Sequence, residues 1–154
     1  MIEARPIFLA PVDDTNRAAV LGLRPKPEQQ QFVATNEASL QQAAQTPSCM
    51  PFLVLAGVQP VGFAMYAPDP DDGNYWIYRL MIDGDFQGQG YGAKALAAVT
   101  GLIFETTGCP FITLGVAPNN STAKRLYERA GFRDAGFEID GEVIMRLQRP
   151  EAHH

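Results

Sequence analysis

Histidine is nearly absent from this chain of 154 residues: the two present, His153 and His154, stand side by side at its end. Terminal residues fray, so the pair makes a poor ligand set. Cysteine is equally scarce, with Cys49 and Cys109 alone and no Cys-x-x-Cys. No metal site is therefore expected, and a disulfide framework is excluded. Two free thiols fit a reducing compartment, and a cytoplasmic setting is expected. Long apolar runs are missing too, since none approaches the roughly 20 residues that a membrane helix needs. Met1-Ile2-Glu3-Ala4-Arg5-Pro6 lacks the basic region and apolar stretch of a secretory signal. No membrane partner is expected. Positive charge is the minority sign, with 12 Lys and Arg against 17 Asp and Glu and a formal net charge of −5. Phosphate backbones reward concentrated Lys and Arg, so nucleic acid is not an expected partner. An acidic surface steers cations instead.

What is present is enough apolar material, 46% of the chain, to fill one core. A single domain is expected over residues 1–150, with 151–154 a flexible tail. Ile7-Phe8-Leu9 begins a first strand, and Asp13 can cap a helix that Gly22 closes. Pro27 can open a second short helix from Glu28 to Val33, and Asn36 can cap a third carrying Leu40, Ala43 and Ala44. Residues 52–56 and 61–66 read as a hairpin across Gly57 to Pro60. The turn Pro68 to Asn74 carries three acids, and its plain reading is a solvated turn. Residues 75–82 form a long strand of mixed alternation, followed by a helix from Gly92 with Ala93, Leu96, Val99 and Ile103 on one side. A strand over 111–116, a helix from Asn120 to Arg129 and a hairpin around Asp140-Gly141 close the chain. Hairpins mixed with β-helix-β crossovers require an α/β fold with a mixed sheet and flanking helices.

Gln87-Gly88-Gln89-Gly90-Tyr91-Gly92 is the stretch that carries most information, because a strand turns through it straight into a helix. That arrangement aims free backbone N–H groups at the positive end of a helix, where a phosphate is stabilised. A plain structural turn fits the glycines alone. The dinucleotide fingerprint does not fit: the glycines at 88, 90 and 92 lack the third at the required spacing. A nucleoside-triphosphate loop is excluded by the absence of Gly-Lys-Ser/Thr.

Gln87-x-x-Gly90-x-Gly92 resembles the pyrophosphate-binding signature of the acetyl-coenzyme A dependent N-acetyltransferases, the GNAT superfamily. A second segment is similar to the same family in the same order: Asn120-x-x-Ala123-x-x-Leu126-Tyr127-Glu128-x-x-Gly131-Phe132. The resemblance implies a mostly antiparallel sheet whose two central parallel strands splay apart to admit acetyl-CoA as cosubstrate. It implies direct attack by an amine in a ternary complex, without an acyl-enzyme. Backbone groups of Met81 and Ile82 would pair with the pantetheine arm, and N–H groups of Gln87, Gly88, Gln89, Gly90, Tyr91 and Gly92 would hold the pyrophosphate. Tyr127 would be the general acid to the departing thiolate. Asn120 would bond the pantetheine arm or cap its helix, and Lys124 would reach a phosphate. A homodimer is also expected from the family.

Within the family the chain most resembles bacterial diamine and polyamine N-acetyltransferases, in Phe32-Val33-Ala34-Thr35-Asn36-x-x-Ser39-Leu40, in residues 75–83 and in residues 141–147. A small-molecule amine is the expected partner. Glu28 is the first candidate to attract it, with Asp83 and Asp85 further acids and Tyr78 a cation–π surface beside Trp76. Alternation puts Trp76 and Tyr78 on one face and Tyr75 on the other. No general base stands out. Other acceptors remain open: an aminoglycoside, an amino-acid derivative or a protein amino terminus. So does a non-catalytic acyl-coenzyme A binding protein.

Overall fold

The computed structural model of the chain describes residues 5–32 and 35–150. Val33 and Ala34, the amino-terminal residues 1–4 and the tail with His153 and His154 lie outside the described residues. Strands β1 (Ile7–Pro11), β2 (Met50–Ala56), β3 (Gln59–Pro68), β4 (Tyr75–Ile82), β5 (Phe111–Val116), β6 (Arg133–Ile139) and β7 (Glu142–Gln148) form one sheet. Its order is β1-β2-β3-β4-β5-β7-β6. Every neighbouring pair is antiparallel except β4 and β5. The sheet is thus mixed and mostly antiparallel with helices on its faces, the fold class expected from the sequence.

Helices α1 (Arg17–Gly22) and α2 (Asn36–Gln45) precede the first hairpin, α3 (Tyr91–Thr107) joins β4 to β5, and α4 (Ser121–Arg129) joins β5 to β6. Two apolar clusters reflect the two sheet faces. One gathers Leu96, Val99 and Ile103 of α3 with Ile112, Leu114 and Phe132. The other gathers Val20 of α1 and Leu40 of α2 with Leu53, Phe63 and Met65. The period-3.6 spacing in α3 and the alternation in the strands dictate this division.

Two helix starts differ from the sequence expectation. Asp13 does not cap α1: its carboxylate accepts from the backbone of Thr15 and Asn16, closing a turn one step earlier, and α1 begins at Arg17. Such local side-chain bonds compete with helix. Asn36 does not cap α2 either. Thr35 does so, accepting from Ala38 N at 3.1 Å. Asn36 is instead the first helical residue, and its buried amide donates to the carbonyls of Val20 at 2.9 Å and Leu23 at 3.3 Å. That bond satisfies the carboxyl end of α1 and ties the two helices together. The segment Pro27–Phe32 is a 3-10 helix.

Candidate active site

Strands β4 and β5 pair at only two positions, Tyr75 with Ile112 and Trp76 with Thr113. Beyond Trp76 they separate. An irregularity in the β3–β4 register sits at the same place: Met65 faces Arg79 and Tyr66 faces Ile77, leaving Tyr78 as an extra residue on β4. A bulge bends its strand and strengthens the local twist. It also explains the mixed alternation of β4. Tyr75, Ile77, Leu80 and Ile82 pack with the α3-side cluster, whereas Tyr78 and Met81 pack with the other. Trp76 and Tyr78 stack with centroids 6.4 Å apart, and Tyr75 lies against Tyr66 on the opposite face.

Two cavities open at this splay, and both are lined by Leu80, Asn120, Ala123 and Tyr127. The first, about 520 Å³, runs along Met81 and Ile82 to the amino end of α3. There Gly90 holds φ +84° as the residue before the helix, and no side chain caps it. The first-turn N–H groups of a 17-residue helix therefore face this cavity without a side-chain acceptor. An ideal Cβ at Gly88 or Gly90 would meet no protein atom within 4 Å. Positive φ, not crowding by the protein, is what demands glycine at these two positions.

Gln87 acts through its side chain. Its amide pairs reciprocally with that of Gln29, at 2.7 and 3.0 Å, and also donates to the carbonyl of Ile82 at 2.9 Å. Gln29, which drew no attention in the sequence, thereby pins the 3-10 segment to the glycine loop. Gly88, Tyr91 and Gly92 line the cavity, but exposed Gln89 and half-buried Lys124 are not among its described lining residues. The cations that do line it are Arg125 and Arg129, one turn apart on α4. Neither was singled out from the sequence, although their four-residue spacing was there to be read. Asn120 caps α4, its side-chain oxygen accepting from Ala123 N at 3.3 Å. These features suit the phosphates and thin arm of acetyl-CoA: an uncapped helix end, two arginines and a strand edge without a partner among the described strands.

The second cavity, about 410 Å³, is acidic. Five carboxylates line it, from Asp69, Asp71 and Asp72 in the β3–β4 turn and from Asp140 and Glu142 at the β6–β7 turn. Arg79 is the one cation among its described lining residues. The acidic turn that reads as merely solvated in the sequence is brought here by the length of the β3–β4 hairpin. Tyr78 also lines it, its hydroxyl donating to Asp69 at 3.1 Å. Burial first, and that carboxylate second, push the Tyr78 phenol far up. Glu28 is exposed and is not among the described residues lining either cavity. The Asp83 carboxylate accepts from the backbone of Arg24 at 2.9 Å and of Asp85 at 3.0 Å, holding the turn after β4. It too is outside both linings.

Tyr127 stands where the cavities meet, packed at 6.0 Å against buried Phe132. Burial pushes its pKa up to about 12, with the Glu142 charge adding to the rise. The phenol therefore stays protonated at neutral pH, the state a proton donor needs. The arrangement sets two arginines and an uncapped helix end on one side, five carboxylates on the other, and a hydroxyl donor between them.

Among the described residues no helix is long and apolar enough to cross a membrane, and no group of His, Cys, Asp and Glu has the makings of a metal site. The acetyltransferase (GNAT) family model matches residues 8–132. The spermine/spermidine N(1)-acetyltransferase of Bacillus subtilis is 34% identical over 146 residues, 90% of this chain and 96% of that one. The aminoglycoside N(6')-acetyltransferase type 1 of Klebsiella pneumoniae is 26% identical over 118 residues, 68% of this chain and 59% of that one. A crystal structure of an aminoglycoside acetyltransferase in complex with coenzyme A superposes with a TM-score of 0.78 at 21% identity, covering 93% of this chain and 95% of that one.

Proposed function

The chain belongs to the acetyltransferase (GNAT) family, and from that premise we propose that it transfers the acetyl group of acetyl-CoA to a primary amine of a small polycation, such as a diamine or polyamine. One observation carries the reading: an anion-suited cavity and a cavity with five carboxylates share a wall at the splay of β4 and β5. The amine enters from the acidic side and attacks directly, within a ternary complex. First-turn N–H groups of α3, with Arg125 and Arg129, hold the cosubstrate's phosphates. The free edge of β4 at Met81 pairs with its pantetheine arm. Tyr127 protonates the departing sulfur. A polyamine at neutral pH carries several ammonium groups, and the carboxylates at 69, 71, 72 and 140 hold those not being acetylated.

An aminoglycoside is also a polycation, and the Klebsiella relative gives that second reading its support. The two differ in width: a polyamine is a thin chain, whereas an aminoglycoside is a set of rings. The test is an acceptor screen with acetyl-CoA, reading thiol release for putrescine, spermidine, spermine, kanamycin, free amino acids and a peptide amino terminus. Spermidine or spermine should be acetylated fastest, with rates rising toward the amine pKa. Release with kanamycin or the peptide alone overturns the polyamine assignment. Coenzyme A binding with no release from any amine would favour a non-catalytic acyl-coenzyme A binding protein. The reading extends to a cytoplasmic homodimer, for which Phe137 and Ile139, exposed at 41% and 42% on the edge strand β6, offer an apolar surface.

A further inference from the structure

The site as described has a proton donor for sulfur but nothing assigned to take the proton from the amine. A primary alkylammonium has a pKa near 10.4, so about one molecule in a thousand is free base at neutral pH. Some acceptor must face the nitrogen on the acidic side of the splay.

Glu142 has the geometry. It is the first residue of β7, beside Val143, which pairs with Val116 of β5. Its carboxylate folds back over β5 at Gly115, where an ideal Cβ would lie 2.9 Å from Oε1 and 3.3 Å from Cδ. Any side chain at 115 would displace the carboxylate. Gly115 has no positive φ to account for it. The carboxylate lines the acidic cavity together with Leu80, Asn120 and Tyr127, which the cosubstrate cavity shares. Its charge is felt by Tyr127, whose phenol it pushes up, and by Arg79, whose guanidinium it supports against burial. Asp69, Asp71 and Asp72 line the same cavity from the β3–β4 turn, while Glu142 is the carboxylate that bears on Tyr127.

We propose that Glu142, seated over Gly115, is the carboxylate that binds the amino group being acetylated and takes its proton. This rests on the acetyltransferase reading above. The nitrogen lone pair forms a bond to the acyl carbon as the carbon–sulfur bond breaks. Of the two protons the ammonium sheds, one passes to Glu142 and on to water. The other, shed as the carbon–nitrogen bond forms, leaves by the same carboxylate to water, and Tyr127, having given its proton to sulfur, regains one from water, so that one proton is released per turnover. Arg79 and Tyr78 of β4, Tyr127 of α4, Asp140 of the adjoining turn and the three aspartates of the β3–β4 turn are the charged or titratable groups facing Glu142 in this cavity.

Glu142→Gln tests it, with the amine that the parent acetylates fastest and kinetics from about pH 6 to 9.5. At neutral pH kcat should fall by roughly 10²-fold, with coenzyme A affinity by calorimetry unchanged. The deficit should shrink as pH nears the amine pKa, because free base then needs no acceptor. Gly115→Ala, which unseats the carboxylate, should reproduce the neutral-pH loss. Ultraviolet titration, with Tyr127→Phe subtracted, should show the Tyr127 pKa lowered in Glu142→Gln. A deficit constant across pH, or none, overturns this inference while leaving an active parent. A parent inactive on every amine overturns the reading beneath it as well.

Discussion

Tyr127 owes its chemical character to where its half-buried ring sits. A phenol in water titrates near 10; burial first and Glu142 second lift this one to about 12. A raised value keeps the donor form through the whole range in which the amine is being deprotonated. The pH dependence of kcat/KM should therefore rise with the amine and show no falling limb from Tyr127 below about pH 10. A limb descending near pH 9, lost in Tyr127→Phe, would contradict the burial of the hydroxyl. The same substitution removes only an oxygen, so the packing against Phe132 and the affinity for coenzyme A should persist while turnover falls by roughly 10²-fold. Equal turnover in variant and parent would reduce the tyrosine to packing. The sign for stability follows from the same shift. The folded state resists ionising Tyr127, so its contribution is complete below the phenol's ordinary pKa and is lost as pH rises from there through about 12.

Elements place these residues, and two glycines set how closely. Gly62 of β3 faces Ile82 of β4, and a Cβ there would collide with the carbonyl oxygen of Met81. The strand whose outer edge parts from β5 is thus held close to β3 by the absence of one side chain. Gly90 does the complementary job at the start of α3. Its φ of +84° aims the first-turn N–H groups into the cavity, and its Cβ position is open. Gly90→Val should leave a folded protein whose coenzyme A dissociation constant rises about tenfold or more, since a β-branched residue at positive φ costs on the order of 1–2 kcal/mol and drives the loop to another conformation. Calorimetry on the folded variant showing parental affinity would remove this loop from the site. The Gln29–Gln87 amide pair buttresses the same loop from a different element.

On the scale of the whole molecule the sheet is a frame with one seam. Six neighbouring pairs hold it, five of them antiparallel, and the single parallel pair is the short one. Both cavities and Tyr127 gather at that seam, and the carboxylates arrive from two hairpins on either side of it. The acidic balance of the chain, 17 against 12, is thus concentrated where a polycation would enter. Steering of this kind weakens as salt screens it. The acceptor screen is the measurement at this scale, since it asks which amine the two hairpins admit.

Local sequence determined the elements and the glycine-loop end of the larger cavity. β4 and β5 have the limits that their apolar runs give, the Asp140-Gly141 turn has both residues at positive φ, and the glycine loop opens α3. Those features are set by neighbours in the chain: turn chemistry, capping and periodicity act over a few residues. Tertiary structure decided what distant segments share. It brought Asp69, Asp71, Asp72 and Glu142 to one cavity, put Arg125 and Arg129 beside the glycine loop, and left Glu28 and Asp83 outside both linings. It also moved the cap of α2 to Thr35, because the Asn36 amide is committed to α1. A carboxylate on an exposed turn reads alike in sequence whether it faces bulk water or an amine. Only the bulge at Tyr78 and the parting of β4 from β5 decide which.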